Sequence, residues 1–354
     1  MAAELRPELA ALKAYQAEPP LGDAALDANE NAFGPPAAFL ARAQAALAAS
    51  RLNLYPDPAC GALRGRLAAL QGVPQSSLLF GNGSDELISL LLTAFGGEGA
   101  SCLVPAPTFS MYKLCALAQG WKVHEVALGP DWGLTPAFVD AAKRLRPKLI
   151  FLANPNSPTA NALDPGLVDA LRGLEGTTLV HDEAYADFGG RSLLAAAPAE
   201  AGLVVLRTFS KAWGLAGLRL GWLCAQPALV AELEKVRLPY NIDALTQALA
   251  CEALDLAAEF QPRVPRLLEL RRRLEAALKA LPGAQVWPSD THFVLVRHPR
   301  AQALHAALLA QGLRTRRFEG GRLEGCLRIN AGDEAQTERL ERAIQAFAQG
   351  AVTA

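Results

Sequence analysis

Short apolar runs alternate with amphipathic stretches of helical spacing between residues 76 and 225 of this chain. This alternation is typical of βαβ units, in which each buried strand is followed by a helix and the strands form a parallel sheet. We predict strands over residues 77–80, 101–104, 122–126, 148–153, 178–181, 203–207 and 221–224, and helices over residues 85–95, 109–119, 136–143 and 165–173. The strands are apolar on both faces, so helices should cover both sides of the sheet. The predicted fold class is α/β with a mostly parallel sheet.

The pattern changes in the last third of the chain, where we predict helices and strands over residues 243–258, 265–281, 285–287, 292–297, 300–311, 326–330 and 333–349. This mixture indicates a smaller α+β domain. The 354 residues also exceed the usual size of a single core. We therefore expect an N-terminal arm (1–36) that joins the small domain, a large domain (37–262) and a small C-terminal domain (263–354). Prolines at positions 19, 20, 35, 36, 56 and 58 exclude a continuous helix from the N-terminal region, which should wrap over another surface.

Composition and charge exclude several classes of function. The net charge is −1 and charged residues make up 19%, so nothing indicates binding to nucleic acid or to a membrane surface. No apolar run reaches the roughly 20 residues that span a bilayer, and no basic segment precedes an apolar stretch at the N-terminus. The 6 cysteines are scattered without metal-ligand spacing. We expect a cytoplasmic protein with reduced, mostly buried cysteines and no metal.

One lysine stands among hydroxyls and glycines after the strand at 203–207, in the segment TFSKAWGLAGLR at residues 208–219. A lysine amine becomes a nucleophile where burial or positive neighbours disfavour its protonated form. Thr208 and Ser210 offer hydroxyls that could hold an anion beside Lys211, and Arg219 follows. This combination suits an imine with a carbonyl cofactor that carries a phosphate. The alternative is a surface lysine at the end of a strand.

The segment GNGSDE at residues 81–86 follows one strand and opens a helix. Its glycines allow close approach of the backbone, and the free N–H groups of a helix N-terminus attract an anion. It matches neither the nucleoside-triphosphate loop nor the dinucleotide glycine pattern. It is a candidate phosphate cup, with an ordinary capped helix as the alternative.

Asp182 ends another buried strand, where a carboxylate is costly to bury unless it is paired. Ligands bind at this edge of an open α/β sheet, so Asp182 could pair with a protonated ring nitrogen. Glu183 should point to the opposite face, which disfavours a metal site made by the two carboxylates. We interpret His181 as a core histidine with satisfied hydrogen bonds, or as one that supports a neighbouring functional group, rather than as a general base.

Two more segments follow strands at the same edge. Residues 154–160 read NPNSPTA, and their prolines should hold polar side chains over the edge. Phe109 follows the strand at 101–104 and could stack on a flat ring, or it could pack in the core at the start of a helix.

In their order along the chain, these segments resemble the fold-type I pyridoxal-phosphate aminotransferases, and most of all the histidinol-phosphate aminotransferases. The resemblance covers nearly the whole chain: Tyr15, LDANEN at 26–31, YPD at 55–57, GSDE at 83–86, DEAY at 182–185, SK at 210–211 and CLRIN at 326–330.

The resemblance implies a role for each of these residues. Lys211 would bind pyridoxal phosphate as an imine and later move the proton between the substrate Cα and the cofactor carbon. Asp182 would keep the pyridine nitrogen protonated, so that the ring accepts electrons. Tyr185 would hydrogen-bond the ring hydroxyl, and Phe109 would stack on the ring. The cofactor phosphate would be held by Ser84, Asp85, Thr208, Ser210, Arg219 and, from the neighbouring subunit of a homodimer, Tyr55.

For the substrate, the resemblance implies Arg328 and one arginine of the segment LRTRR at 313–317, of which we favour Arg316. A guanidinium fork suits both a carboxylate and a phosphate. One site would then serve 2-oxoglutarate/glutamate and L-histidinol phosphate in alternate half-reactions. Tyr15 and Asn29 would lie near the substrate. A solvated basic turn is the alternative for the three arginines at 314, 316 and 317.

The chain departs from the family pattern at one position. The family commonly reads Asn-Asn-Pro-Thr-Gly where this chain has NSPTA at 156–160, so Ser157 replaces the asparagine that bonds the ring hydroxyl. The contact could be shorter, pass through water, or be taken over by Asn156.

The predicted protein is a cytoplasmic homodimeric aminotransferase that acts on L-histidinol phosphate in histidine biosynthesis. Within the same scaffold, an aromatic amino acid aminotransferase or a threonine-phosphate decarboxylase stays open. A cofactor-sensing regulator is disfavoured because no helix-turn-helix precedes Tyr15 and no basic patch is present. A nicotinamide dehydrogenase is disfavoured because the dinucleotide glycine pattern is missing.

Overall fold

The computed structural model describes residues 23–350, together with Leu5, Leu9 and Leu12. Its strands, in chain order, are β1 Ala24–Ala25, β2 Leu78–Asn82, β3 Ser101–Ala106, β4 Lys122–Ala127, β5 Leu149–Ala153, β6 Thr178–Asp182, β7 Leu203–Thr208, β8 Leu220–Ala225, β9 Gln285–Val286, β10 Phe293–Arg297, β11 Leu313–Arg314, β12 Arg316–Arg317 and β13 Cys326–Asn330.

The helices are α1 Ala37–Ala49, α2 Gly61–Gln71, α3 Gly83–Phe95, α4 Ser110–Ala118, α5 Pro136–Leu145, α6 Pro165–Asp169, α7 Pro227–Glu234, α8 Ala244–Asp255, α9 Ala257–Phe260, α10 Arg263–Lys279, α11 Ala301–Ala310 and α12 Glu334–Ala348. Over the described part of the chain, none of them combines the length and the apolar character needed to cross a membrane.

A 7-stranded sheet of order β2-β8-β7-β6-β5-β3-β4 forms the centre of the large unit. The pairs from β4 through β3, β5 and β6 to β7 are parallel, whereas β8 runs antiparallel to both β7 and β2. Each predicted strand of this sheet is present. The sequence pattern located the inner strands because a strand buried on both faces is a continuous apolar run, whereas the edge strand β4 is only partly buried.

Side chains of successive strand residues enter two separate cores. In β5, Ile150 and Leu152 pack with helices α1, α2, α5 and α8, while Leu149 and Phe151 pack with α3, α4 and α7. This alternation follows from the pleat of a strand. Helices therefore cover both faces of the sheet, as predicted.

A second unit contains the 4-stranded antiparallel sheet β12-β13-β10-β9. Helices α10, α11 and α12 bury apolar faces against it. The chain returns to this unit near its beginning: β1 pairs in parallel with β11, and Leu26 N donates to Arg314 O at 2.9 Å. The residues after Asp23 are thereby fixed beside the turn that carries the three arginines.

The sequence pattern missed three helices, α1, α2 and α7. Helix α1 begins directly after Pro36, where the missing N–H has no cost because a first helical turn leaves its N–H groups unbonded. It buries only Phe39 and therefore has no helical apolar period. The helix predicted at 165–173 is shorter than expected, because α6 ends at Asp169 and turns follow.

Candidate active site

Functional side chains from five segments meet at one edge of the large sheet. Strands β3, β5, β6 and β7 are parallel, so their carboxyl ends lie together. Strand β8 is antiparallel, so its first residue lies at the same edge. The loop at 154–160, Phe109, Asp182, Tyr185 and Lys211 all follow these strand ends.

Asp182 is buried at this edge, with 4% of its surface exposed. Its Oδ2 accepts from the Tyr112 hydroxyl at 2.6 Å, and its Oδ1 accepts from Ala184 N at 3.0 Å. Burial raises the pKa of this carboxyl, and the Tyr112 hydrogen bond opposes the rise. A cationic partner would offset the cost of burying the charge. A protonated ring nitrogen fits that requirement.

His181 and Glu183 point to the opposite face. Asn154 Oδ1 accepts from Leu163 N at 2.9 Å, so Asn154 Nδ2 faces His181 Nε2 at 3.1 Å and donates to it. The histidine proton is then on Nδ1, which lies 3.1 Å from Glu183 Oε1, while Glu183 Oε2 accepts from Arg207 at 2.7 Å. These bonds agree with a core histidine. No group of His, Cys, Asp and Glu in the described residues could hold a metal ion.

Lys211 lies in the loop between β7 and β8. Its Nζ donates to Ala28 O at 3.0 Å and lies 5.8 Å from the centre of the Tyr185 ring. Asn31 Nδ2 donates to the backbone carbonyls of Lys211 at 3.3 Å and of Ala212 at 3.0 Å. The lysine amine and the tyrosine are therefore on the same side of the edge.

A polar network joins Tyr185 to Arg328. Asn29 Nδ2 donates to the Tyr185 hydroxyl at 2.7 Å and lies 3.5 Å from Ser157 Oγ. Ser157 Oγ accepts from Arg328 Nη1 at 3.1 Å, and Arg328 Nη2 donates to the Asp27 carbonyl. The segment 27–29 therefore contacts the predicted cofactor tyrosine and the predicted substrate arginine together.

The start of helix α3 forms a cradle that has no room for side chains. A Cβ atom on Gly221 would lie 2.5 Å from Ser84 N, and one on Gly83 would lie 2.6 Å from Arg219 Nη2. The backbone contact requires glycine at position 221, and a φ of 76° favours glycine at position 83, where the close atom belongs to a mobile side chain. Arg219 Nη2 also lies 3.4 Å from Asp85 Oδ2. Backbone N–H groups at a helix start beside a guanidinium fit a phosphate.

Two hydroxyls stand next to this cradle. Thr208 Oγ1 donates to Ser210 Oγ at 3.0 Å and accepts from Ser210 N at 3.0 Å, and both residues are buried. The predicted phosphate residues at 84, 85, 208, 210 and 219 thus share one corner of the sheet edge.

Asn156 holds two loops together. Its Nδ2 donates to Pro107 O at 3.0 Å and to Thr159 Oγ1 at 2.7 Å, and its Oδ1 accepts from Thr108 Oγ1 at 2.7 Å. These bonds fix the turn before Phe109, whose ring meets that of Tyr112 edge-on at 5.4 Å.

The three arginines near residue 315 have separate partners. Arg314 Nε lies 2.9 Å from Asp27 Oδ1, and Arg317 pairs with a neighbouring glutamate. Arg316 is the register partner of Arg328 between β12 and β13. Directly opposed residues of antiparallel strands project from the same face. Arg316 is therefore the arginine of this turn that shares a face with Arg328.

The two remaining predicted site residues are tyrosines. Tyr55 is 81% exposed and stacks on Tyr240 with ring centroids 4.6 Å apart. Tyr15 lies outside the described residues.

Sequence reasoning missed Tyr112, Asp27, Asn330 and His292. Tyr112 stands one helical turn after Phe109, and a tyrosine on the apolar face of that predicted helix was the available signal. His292 is fully buried, and burial, helped by the charge of Lys211, lowers the pKa of its imidazole to about 3. The contacts of Asp27 and Asn330 join distant parts of the chain and have no local signal.

The fold and this edge define an aminotransferase of fold type I. The crystal structure of histidinol-phosphate aminotransferase from Sinorhizobium meliloti in complex with pyridoxal-5'-phosphate matches with a TM-score of 0.89 and covers 99% of both chains. At 23% identity this likeness establishes the fold.

The chain belongs to the aminotransferase class I and II family, whose model matches residues 24–346. The histidinol-phosphate aminotransferase of Chromobacterium violaceum is 40% identical, over 97% of this chain and 97% of that protein. Histidinol-phosphate aminotransferase 2 of Nitrosococcus oceani is 36% identical, over 97% and 96%.

Proposed function

We propose that this enzyme transfers an amino group between L-histidinol phosphate and 2-oxoglutarate, giving imidazole-acetol phosphate and L-glutamate. The pairing of Arg316 with Arg328 on one face carries this proposal. Two guanidinium groups can bind a phosphate in one half-reaction and a carboxylate in the next. The names of the relatives at 36% and 40% identity support the same substrate.

The cofactor is pyridoxal phosphate, which when bound supplies a ring that accepts electrons from the substrate. Asp182 would face its ring nitrogen, since a buried carboxylate needs a cation there. The α3 cradle and Arg219 would hold its phosphate, and Phe109 would lie against its ring. Lys211 would bond to it and then carry a proton to and from the substrate Cα.

We also propose that the enzyme is a cytoplasmic homodimer with an N-terminal arm at 1–36, a large domain at 37–262 and a small domain at 263–354. The rings of Tyr55 and Tyr240 stack, and exposed apolar residues lie close to each of them in the sequence: Leu52, Leu54, Val236 and Leu238. Contiguous exposed apolar groups are typical of a protein interface. Such an interface would let Tyr55 reach the phosphate of the neighbouring subunit. The mass of the protein in solution tests this interface. We expect the wild type to be a dimer and Leu238→Glu to be a monomer.

A single-turnover absorption experiment tests the substrate. The loaded enzyme is mixed separately with L-histidinol phosphate, L-threonine phosphate and L-phenylalanine. We expect the visible cofactor band to be lost with L-histidinol phosphate and restored by 2-oxoglutarate, and Lys211→Ala to give neither change. A response to L-threonine phosphate alone would indicate a threonine-phosphate decarboxylase instead, and a response to L-phenylalanine alone would indicate an aromatic amino acid aminotransferase. Failure to bind pyridoxal phosphate would overturn the whole proposal.

A further inference from the structure

Asn29 is held in one orientation by Asn330. The Asn330 amide is assigned the orientation that satisfies its hydrogen bonds, in which its nitrogen donates to Asn29 Oδ1 at 2.8 Å and its oxygen accepts from Asn29 N at 2.8 Å. Asn29 is 1% exposed and has a φ of 55°, a left-handed conformation that asparagine tolerates better than most residues. With its oxygen used by Asn330, Asn29 can present only its NH₂ group to Tyr185.

This orientation decides what Tyr185 can do. A phenol has one proton to donate and can accept through its oxygen. Asn29 Nδ2 donates to that oxygen at 2.7 Å, so the phenol proton cannot point back at Asn29. It is left to donate within the ring plane, in the direction away from Asn29, while Lys211 Nζ lies over the face of the same ring, 5.8 Å from its centre.

The family asparagine is missing on the same side. Ser157 stands in its place, and its Oγ already accepts from Arg328 Nη1 at 3.1 Å. Asn29 Nδ2 lies 3.5 Å from that oxygen, so the Asn29 amide is the neighbouring amide on this side of Tyr185.

We infer that Asn29 is a positioning residue that compensates for Ser157: held by Asn330, it turns the Tyr185 phenol proton toward the ring oxygen of the cofactor. The inference rests on the proposed placement of the cofactor between Tyr185, Asp182 and Lys211.

The pH titration of the visible band of the bound cofactor measures this effect directly. At high pH the nitrogen that would join Lys211 to the cofactor loses its proton. The negative charge of the ring oxygen is then no longer offset by a neighbouring cation. A hydrogen bond donated to that oxygen stabilises the high-pH form most and lowers the midpoint pH. Removing the donor with Tyr185→Phe should raise the midpoint by about one unit.

The experiment compares wild type, Asn29→Gly, Tyr185→Phe and the double variant, each loaded with pyridoxal phosphate. Glycine adopts the left-handed backbone at position 29 without strain, so the substitution removes only the side chain. We expect Asn29→Gly to raise the midpoint by about half a unit or more, and to add nothing in the Tyr185→Phe background. Asn330→Ala removes the residue that holds Asn29 and leaves Tyr185 itself unchanged, so it should raise the midpoint pH by less.

Asn161→Gly is the matched control, because Asn161 Nδ2 bonds Trp132 O at 3.0 Å instead of a site residue. It should leave the midpoint unchanged. An unshifted midpoint in both Asn29→Gly and Asn330→Ala, or equal shifts from Asn29→Gly with and without Tyr185, would overturn the inference while leaving the proposed function intact. A wild type that gains no visible band would instead overturn the proposed function.

Discussion

Tyr112→Phe is the substitution whose cost can be worked out most directly from the structure. Tyr112 is fully buried and stacks on Phe151, with ring centroids 5.0 Å apart and planes at 12°. Phenylalanine keeps this packing and removes only the hydroxyl that donates to Asp182 at 2.6 Å. A hydrogen bond to a charged group contributes about 1.5–3 kcal/mol. We expect the free energy of unfolding of the cofactor-free protein to fall by that amount at pH 8.

The pH dependence gives this prediction its sign. Burial raises the pKa of Asp182, so the folded state binds its proton at a higher pH than the unfolded state does. As the pH falls through that raised pKa the carboxyl becomes neutral, and it then needs the Tyr112 hydroxyl less. The loss caused by Tyr112→Phe should therefore be smaller at the lowest pH at which the protein stays folded than at pH 8.

Guanidinium unfolding at the two pH values measures both quantities. Tyr240→Phe is the control: its side chain is 41% exposed, and the change should cost less than about 0.5 kcal/mol. The reasoning is refuted if Tyr112→Phe costs no more than this control at pH 8, or if its cost grows as the pH falls.

Three further predictions concern the cradle, the substrate arginine and the buried acid. Gly221→Ala places a Cβ 2.5 Å from a backbone nitrogen of α3, so we expect the affinity for the cofactor to fall at least about tenfold in an absorbance titration. Gly217→Ala is the control, because open space surrounds Gly217, and it should leave the affinity unchanged. Arg328→Gln should raise the KM for both substrates by about a hundredfold, in steady-state assays where Arg317→Gln changes it less than about threefold. Burial acts to raise the pKa of Glu183, but its histidine and arginine partners lower it overall, so its stabilisation is present above its ordinary pKa and lost as the pH falls through the lowered one. Glu183→Gln should therefore cost about 3–5 kcal/mol in denaturant unfolding at pH 7, and progressively less as the pH falls below the ordinary pKa of a glutamate.

The sequence located the large sheet and most side chains at its edge for one physical reason. A strand buried on both faces must be apolar along its length, so the point where Leu206 gives way to polar residues marks the edge itself. Lys211 and Asp182 were identified from such transitions.

The choice among Arg314, Arg316 and Arg317 needed the structure. Alternation along a strand predicts that neighbouring residues point to opposite faces, but it does not say which face is the functional one. The register with β13 puts Arg316 opposite Arg328 on one face, and the proposal that Arg316 binds the substrate rests on that register.

Asn29 was expected near the substrate, and its bond to Tyr185 could not be predicted. The two residues are 156 positions apart. Local propensity does not determine which distant groups a turn residue meets, and the asparagine reaches the tyrosine through the docking of β1 on β11 and the long-range contacts of residues 27–31.

The reversed direction of β8 also bears on how the site forms during folding. Thr208 and Leu220, which flank the loop that carries Lys211, are only 12 positions apart in the chain, whereas Asn29 must find Tyr185 over 156 positions. Closing the longer loop costs about 2 kcal/mol more in chain entropy. The loop that carries Lys211, with Thr208 and Ser210 beside it, should therefore form early from a local hairpin, and the N-terminal segment with Asn29 should join late and be the first to detach when the protein is mildly destabilised.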